Sequence, residues 1–237
     1  MKSSDLKIKL FADGADLKGM LQMYAQPWIQ GFTTNPTLMR KVGISDYAAF
    51  AKQVLEAIPD RPISFEVFAD EFPEMERQAL KIAEWGPNVY VKIPITNTRR
   101  DSSVDLAHRL ACRGVKLNVT AILTLDQVRD ITAALAGGPS ANVSVFAGRI
   151  ADTGVDPVAH MQKALEIMTP HSNLELIWAS PRELLNIVQA DAIGCHIITV
   201  TNDILAKLNL LGKDIADYSL ETVQMFHRDA TASGFTL

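Results

Sequence analysis

The stretch Val89-Tyr90-Val91-Lys92-Ile93-Pro94-Ile95 alternates without a break. Side chains of a strand point to opposite faces with a period of two. Val89, Val91, Ile93 and Ile95 therefore share one face, and Tyr90 and Lys92 share the other. A continuous β-branched face packs against helices, which turns Lys92 the other way. Three more stretches repeat the pattern. Ile63, Phe65 and Val67 oppose Ser64 and Glu66; Val115, Leu117 and Val119 oppose Lys116, Asn118 and Thr120; Val143, Val145 and Ala147 oppose Ser144 and Phe146.

Outward from these four, the same rhythm covers the chain. Strands are expected at 8–12, 30–33, 63–67, 89–93, 115–119, 142–146, 174–178 and 195–199. Amphipathic helical stretches lie between them, among them 46–58, 72–85, 102–113, 124–136, 157–168 and 182–190. Strand alternating with helix is the signature of a parallel sheet. Eight such units in 237 residues fit an α/β fold, a single (β/α)8 TIM barrel spanning residues 1–237. An open doubly wound sheet is the structural alternative, weakened by the lack of GxGxxG after the first strand. Gly137-Gly138-Pro139 reads as a helix end before strand six, and 219–233 as an additional C-terminal helix ending near Gly234.

With 48% apolar and 21% charged residues the composition is that of a globular protein, which excludes disorder and collagen-like structure. A net charge of −4 advertises no nucleic-acid partner. No apolar run approaches the ~18 residues of a membrane span, and Met1 to Leu10 has no apolar signal core. Cys112 and Cys195 form no disulfide framework, so a cytoplasmic location is expected.

The inner face of four successive strands thus carries Glu66, Lys92, Asn118, Thr120 and Ser144, with Asp13 ending strand one on the same rim. A purely structural barrel fills its interior with branched apolar residues, and burying polar groups is costly unless they are paired or used. One inward Lys–Glu pair alone reads as a structural ion pair; the whole set reads as a site. Enclosure desolvates a lysine and disfavours its ammonium, and a neutral amine attacks carbonyls to form a Schiff base. Such chemistry needs no metal or cofactor but does need an acid/base, for which Glu66 and Asp13 are candidates. Asn35, Asn118 and Ser144 suit substrate hydroxyls, which suggests a polyol or sugar. Arg149 follows strand six, and Ser180 and Arg182 follow strand seven. Two arginine forks after adjacent strands could hold one phosphate. Taken singly they read as surface ion pairs, the reading given to Arg99, Arg100 and Arg109.

Several segments together resemble the transaldolase family, including its short branch with the fructose-6-phosphate aldolases. Thr33-Thr34-Asn35-Pro36-Thr37-Leu38 resembles its TTNPS/T segment. Val91-Lys92-Ile93-Pro94-Ile95-Thr96 resembles its Schiff-base lysine motif. Leu117-Asn118-Val119-Thr120 is similar to its N-x-T, and Ser144 to Ile150 to its SPFVGRI. The resemblance implies a (β/α)8 barrel and residue roles. Lys92 forms the imine; Asp13 moves the proton of the hydroxyl beside the cleaved bond. Glu66, with a water held by Thr120, assists imine formation and hydrolysis. Asn35, Asn118 and Ser144 hold the dihydroxyacetone fragment, and Thr33 supports that wall. Arg149, Ser180 and Arg182 bind the sugar phosphate.

Glu66, Asn118 and Phe146 look like transaldolases, where the aldolases usually carry Gln, Gly and Tyr. The implied activity is therefore transfer of a dihydroxyacetone unit between sugar phosphates. It would convert sedoheptulose 7-phosphate and glyceraldehyde 3-phosphate to erythrose 4-phosphate and fructose 6-phosphate, in the pentose phosphate pathway. The alternative is fructose-6-phosphate aldolase-type cleavage releasing dihydroxyacetone, or a related ketose aldolase. Gly14, Trp178 and Pro181 depart from the family pattern, the last two expected at the phosphate end. Short members often form rings, so a homo-oligomer is expected. More distant rivals are a metal-dependent aldolase, disfavoured by five histidines without HxH or HExxH spacing, a pyridoxal phosphate enzyme, and a barrel that only binds a sugar phosphate.

Overall fold

Each alternating stretch forms a strand, and all eight run parallel in a barrel that closes β8 onto β1. The computed structural model describes residues 2–234. The strands are β1 (Lys9–Asp13), β2 (Ile29–Thr33), β3 (Ile63–Glu66), β4 (Val89–Pro94), β5 (Leu117–Ile122), β6 (Ala141–Val145), β7 (Leu174–Trp178) and β8 (Ile197–Thr201). Helices follow each strand in turn. They are α1 (Leu17–Tyr24), α2 (Pro36–Lys41), α3 (Tyr47–Ala57), α4 (Phe72–Ala83), α5 (Val104–Cys112), α6 (Leu125–Leu135), α7 (Ala147–Asp152), α8 (Pro157–Met168), α9 (Leu185–Ala192), α10 (Asn202–Leu205) and α11 (Ile215–Ser233). The expected (β/α)8 TIM barrel with an additional C-terminal helix is the observed architecture.

The outward faces of the strands make the main core. Ile63, Phe65, Val91, Ile93, Leu117, Val119, Val143 and Val145 are all fully buried beneath the helices. Inside the barrel a separate small cluster of Phe11, Ile177, Ala179 and Ile197 packs with Phe146. Phe11 reaches across to β2, where a Cβ on Gly31 would stand 2.5 Å from its ring. That close approach explains the glycine inside β2. The apolar plug fills one side of the interior, and the polar inward residues of β3 to β6 occupy the other.

Every strand but β7 differs by one to three residues at an end from the sequence reading, and three of the shifts arise because a helix end claims residues that look like strand. Val115 N–H bonds the Leu110 carbonyl, so the end of α5 uses it and β5 starts at Leu117, not 115. Cys195 N–H likewise bonds the Ala190 carbonyl after α9, which moves β8 from 195–199 to Ile197–Thr201. At the other end of β6, Phe146 caps α7 and Ala147 is already helical, so neither belongs to the strand. A left-handed Ala121 (φ 61) shifts the β5–β6 register between Val119 and Ile122. The turn after α6 has Gly137 at φ 69, as the glycine pair suggests, and α11 ends at a left-handed Gly234.

Candidate active site

The C-terminal ends of the strands open into a cavity of about 700 Å³. Its floor is Lys92, 7% exposed and carried inward by β4. Lys92 Nζ lies 3.2 Å from Glu66 Oε2 and donates to the Thr34 carbonyl at 3.2 Å. The pairing follows from register, since Glu66 and Lys92 are direct neighbours across β3 and β4. The Tyr47 hydroxyl donates to the Glu66 backbone carbonyl at 2.9 Å and fixes the end of β3.

Asp13 reaches the same floor from β1. Its Oδ1 accepts the Thr33 hydroxyl at 2.8 Å, and Thr33 in turn accepts from Thr199 of β8. Burial pushes the Asp13 carboxyl up from its ordinary range, opposed by the positive charge of Lys92 and by the Thr33 hydrogen bond. Thr120 sits beside this group with its hydroxyl buried and no protein partner among the described residues. An unsatisfied buried hydroxyl costs about 1–3 kcal/mol, and this one borders the cavity, where an entering group can bond it.

Ser144 Oγ donates to Asn118 Oδ1 at 2.7 Å, and Asn118 Nδ2 donates to Ser64 Oγ at 2.9 Å. Ser144 lines the cavity, whereas Asn118 is fully buried behind it. Asn35 also lines the cavity, but its Oδ1 caps α2 by accepting the Leu38 N–H at 2.9 Å. Its amide nitrogen is therefore the end left for a ligand. Pro36 follows at the first helical position, so Asn-Pro both starts α2 and aims the asparagine.

Phe146, Arg149, Ser180 and Arg182, from the segments after β6 and β7, line the same cavity. The two loops meet there at van der Waals limits. A Cβ on Gly148 would lie 1.6 Å from the Ser180 carbonyl oxygen, and Ser180 is left-handed at φ 59. Gly148→Ala should therefore push the loop after β7 away. We expect a destabilisation of at least about 2 kcal/mol, read as a melting temperature lower by roughly 4–8 °C.

A family model described as Transaldolase/Fructose-6-phosphate aldolase matches residues 10–237. The chain belongs to the transaldolase/fructose-6-phosphate aldolase family. Curated relatives agree. A probable transaldolase of Dehalococcoides mccartyi is 34% identical over 202 residues, covering 85% of this chain and 90% of the relative. Probable transaldolase 2 of Listeria monocytogenes is 32% identical, covering 85% and 88%. A probable transaldolase of Methanococcus maripaludis is 30% identical over 223 residues, covering 91% and 99%.

In this family member, eleven of the twelve residues singled out in the sequence line one cavity; only Asn118 stands behind the wall. Trp178, expected near the phosphate end, is fully buried on the helix-facing side with Leu174 and Leu176, while Pro181 does line the cavity. Arg99 and Arg109 form surface ion pairs, with Glu71 and Glu76. The sequence reading missed Lys41, Thr199, Thr201 and Asp203, which also line the cavity. Thr199 lies within the expected strand 195–199 and Thr201 just past its end; both share the inward face of β8 with Ile197, a face the sequence reading does not assign for this strand. Lys41 and Asp203 come from helices, to which the strand pattern does not speak. Among the described residues no three His, Cys, Asp or Glu side chains cluster as metal ligands, and no helix is long and apolar enough to cross a membrane.

Proposed function

We propose that the chain is a transaldolase, moving a dihydroxyacetone unit from a ketose phosphate to an aldose phosphate through a Lys92 Schiff base. One observation carries this reading: a buried lysine amine sits within 3.2 Å of the Glu66 carboxylate in a cavity whose far end carries Arg149 and Arg182. Lys92 Nζ attacks the C2 carbonyl of the ketose and, after loss of water, forms the imine. Glu66 passes the protons through a water on the orphaned Thr120 hydroxyl. Asp13 then takes the C4 hydroxyl proton, the C3–C4 bond breaks, and its electrons flow into the iminium to give an enamine while the aldehyde leaves. A second aldehyde accepts the enamine carbon and recovers the proton from Asp13. Ser144 and the Asn35 amide bind the hydroxyls of the retained fragment, and Asn118 orients Ser144. The names of the relatives favour transfer over release of free dihydroxyacetone. The reading includes a pentose phosphate pathway role and a cytoplasmic location, which suits the free thiols of Cys112 and Cys195.

The test is borohydride reduction in the presence of fructose 6-phosphate, followed by peptide mapping. A dihydroxyacetone adduct on Lys92 is the expected product. With erythrose 4-phosphate present, sedoheptulose 7-phosphate should form and free dihydroxyacetone should stay at trace level. Free dihydroxyacetone as the main product at equal rate without an acceptor would make the enzyme an aldolase. Arg182→Ala should raise KM for fructose 6-phosphate about ten-fold or more, the loss of a charge-assisted fork, and leave KM for fructose within about two-fold.

The proposal extends to self-association. The 19-residue helix α11 buries none of its side chains, and Ile215, Val223 and Phe226 are at least 60% exposed. Helices in proteins draw most of their stability from packing an apolar face, and the apolar side chains of this one need a cover. A second copy of the chain is the partner always present at the needed concentration. Light scattering of the parent and of Phe226→Glu should show an oligomer that the substitution weakens.

A further inference from the structure

Arg182 is not free at the phosphate end. Its Nε donates to Asp152 Oδ1 at 3.1 Å, and its Nη2 donates to Asp152 Oδ2. This two-point contact fixes the plane of the guanidinium. It uses one edge only, leaving both N–H groups of Nη1 and the outer one of Nη2. Asp152 lies four residues beyond Gly148 on α7, hence on the same helix face. A Cβ on Gly148 would come within 3.3 Å of Arg182 Nε, so the arginine runs along that face toward Asp152. Its backbone is held as well: Asn186 Oδ1 accepts the Arg182 N–H at 2.7 Å. Arg149, from the first turn of the same helix, is exposed and has no ion pair among the described residues. The two arginines are thus organised differently, one pinned and one free.

The ion pair is half exposed, 47% for Arg182 and 51% for Asp152. Such pairs contribute little to stability. A carboxylate beside an anion site also repels the anion, so stability does not account for its position. We propose that Asp152 is a positioning residue: it holds the Arg182 fork facing the cavity so that the substrate phosphate meets a preset donor edge, while Arg149 closes on it from the other side. The gain is preorganisation, since the fork gives up its rotamer freedom before the phosphate arrives. This rests on the sugar-phosphate reading of the site.

The experiment uses glucitol 6-phosphate, which has the phosphate but no carbonyl and so binds without forming an imine. Calorimetric titration into the parent, Asp152→Ala, Asp152→Asn, Arg182→Ala and the double variant reads the site apart from the chemistry. The Asp152→Ala dissociation constant should rise roughly five- to ten-fold, with Asp152→Asn, which keeps the shape and one acceptor, in between. The double variant should bind no more weakly than Arg182→Ala alone, because Asp152 acts through Arg182. KM for fructose 6-phosphate should rise by the same factor as the dissociation constant, and KM for unphosphorylated fructose should not. Tighter binding in Asp152→Ala would make the carboxylate a competitor of the phosphate and overturn the proposal. So would independent, additive losses in the double variant, or a parent that does not bind glucitol 6-phosphate. An Asp152-dependent affinity combined with no Lys92 adduct would uphold this inference and overturn the Schiff-base reading alone.

Discussion

Lys92→Met should lose turnover by a factor on the order of 10⁴ or more, and borohydride should leave no adduct. Among the described residues no other amine stands on the cavity floor; Lys41 belongs to its rim, at the end of α2. The fold should survive. Methionine keeps the unbranched apolar stem of lysine in the barrel wall. Glu66, left without its partner, still faces the cavity with 17% of its side chain exposed, so water can hydrate it. The melting temperature should shift by no more than about 4 °C, the equivalent of roughly 1 kcal/mol in a domain of this size. Residual turnover of more than a hundredth of the parent rate, in a well-folded variant, would remove Lys92 from the chemistry.

That Lys92 stands in this position was legible because the alternation is strict on both sides of it. Val91 and Ile93 are fully buried outward, which leaves the lysine one direction. The same argument on Ser64 and Glu66 gives the neighbour, and the parallel register brings Glu66 opposite Lys92. Period two says which way a side chain points but nothing about its height along the barrel axis. Asn118 shows the difference. It points inward as expected, yet it lies one layer below Thr120 and Ser144 covers it, so it orients the wall without forming it.

Contacts between distant segments were not legible at all. Asp152 and Arg182 are thirty residues apart, Asp152 at the end of a short helix the alternation does not reveal and Arg182 in the loop before α9, which starts at Leu185 and not at 182 as the expected stretch 182–190 has it. Gly148 belongs to the SPFVGRI-like segment, but its reason, the Ser180 carbonyl, appears only when two loops are brought together. Asp203 and Lys41 reach the cavity from the first and last turns of short helices. The strand-borne part of the site is therefore readable from alternation, whereas the residues beyond the strand ends, Asn35, Arg149, Ser180 and Arg182, were readable from their motifs but their contacts with one another were not. In a barrel enzyme the first carries the reaction and the second the binding of the substrate's far end, as expected where the βα loops set specificity.

Asp13→Asn is the second large effect. Asparagine keeps the shape and can still accept the Thr33 hydroxyl, but it cannot take a proton. Loss of a positioned general base costs roughly 10²–10⁴-fold, so kcat for cleavage should fall into that range. Imine formation does not use Asp13, so borohydride should trap unreacted fructose 6-phosphate on Lys92, a six-carbon adduct in place of the three-carbon one. The parent should also show a pH signature. In the proposed reaction Asp13 acts as a base when ionised, and burial raises its pKa above that of an exposed aspartate. Activity is therefore lost as pH falls through this raised value, and the acid limb of kcat/KM lies above the ordinary carboxylate range of about 4. Thr33→Val deletes the hydrogen bond that stabilises the ionised form, so the limb should move to still higher pH while the plateau above it is partly retained. In Asp13→Asn the limb should vanish. A Thr33→Val limb that moved to lower pH would mean that the hydroxyl favours the protonated acid, and the proton would then have to leave the substrate by another group.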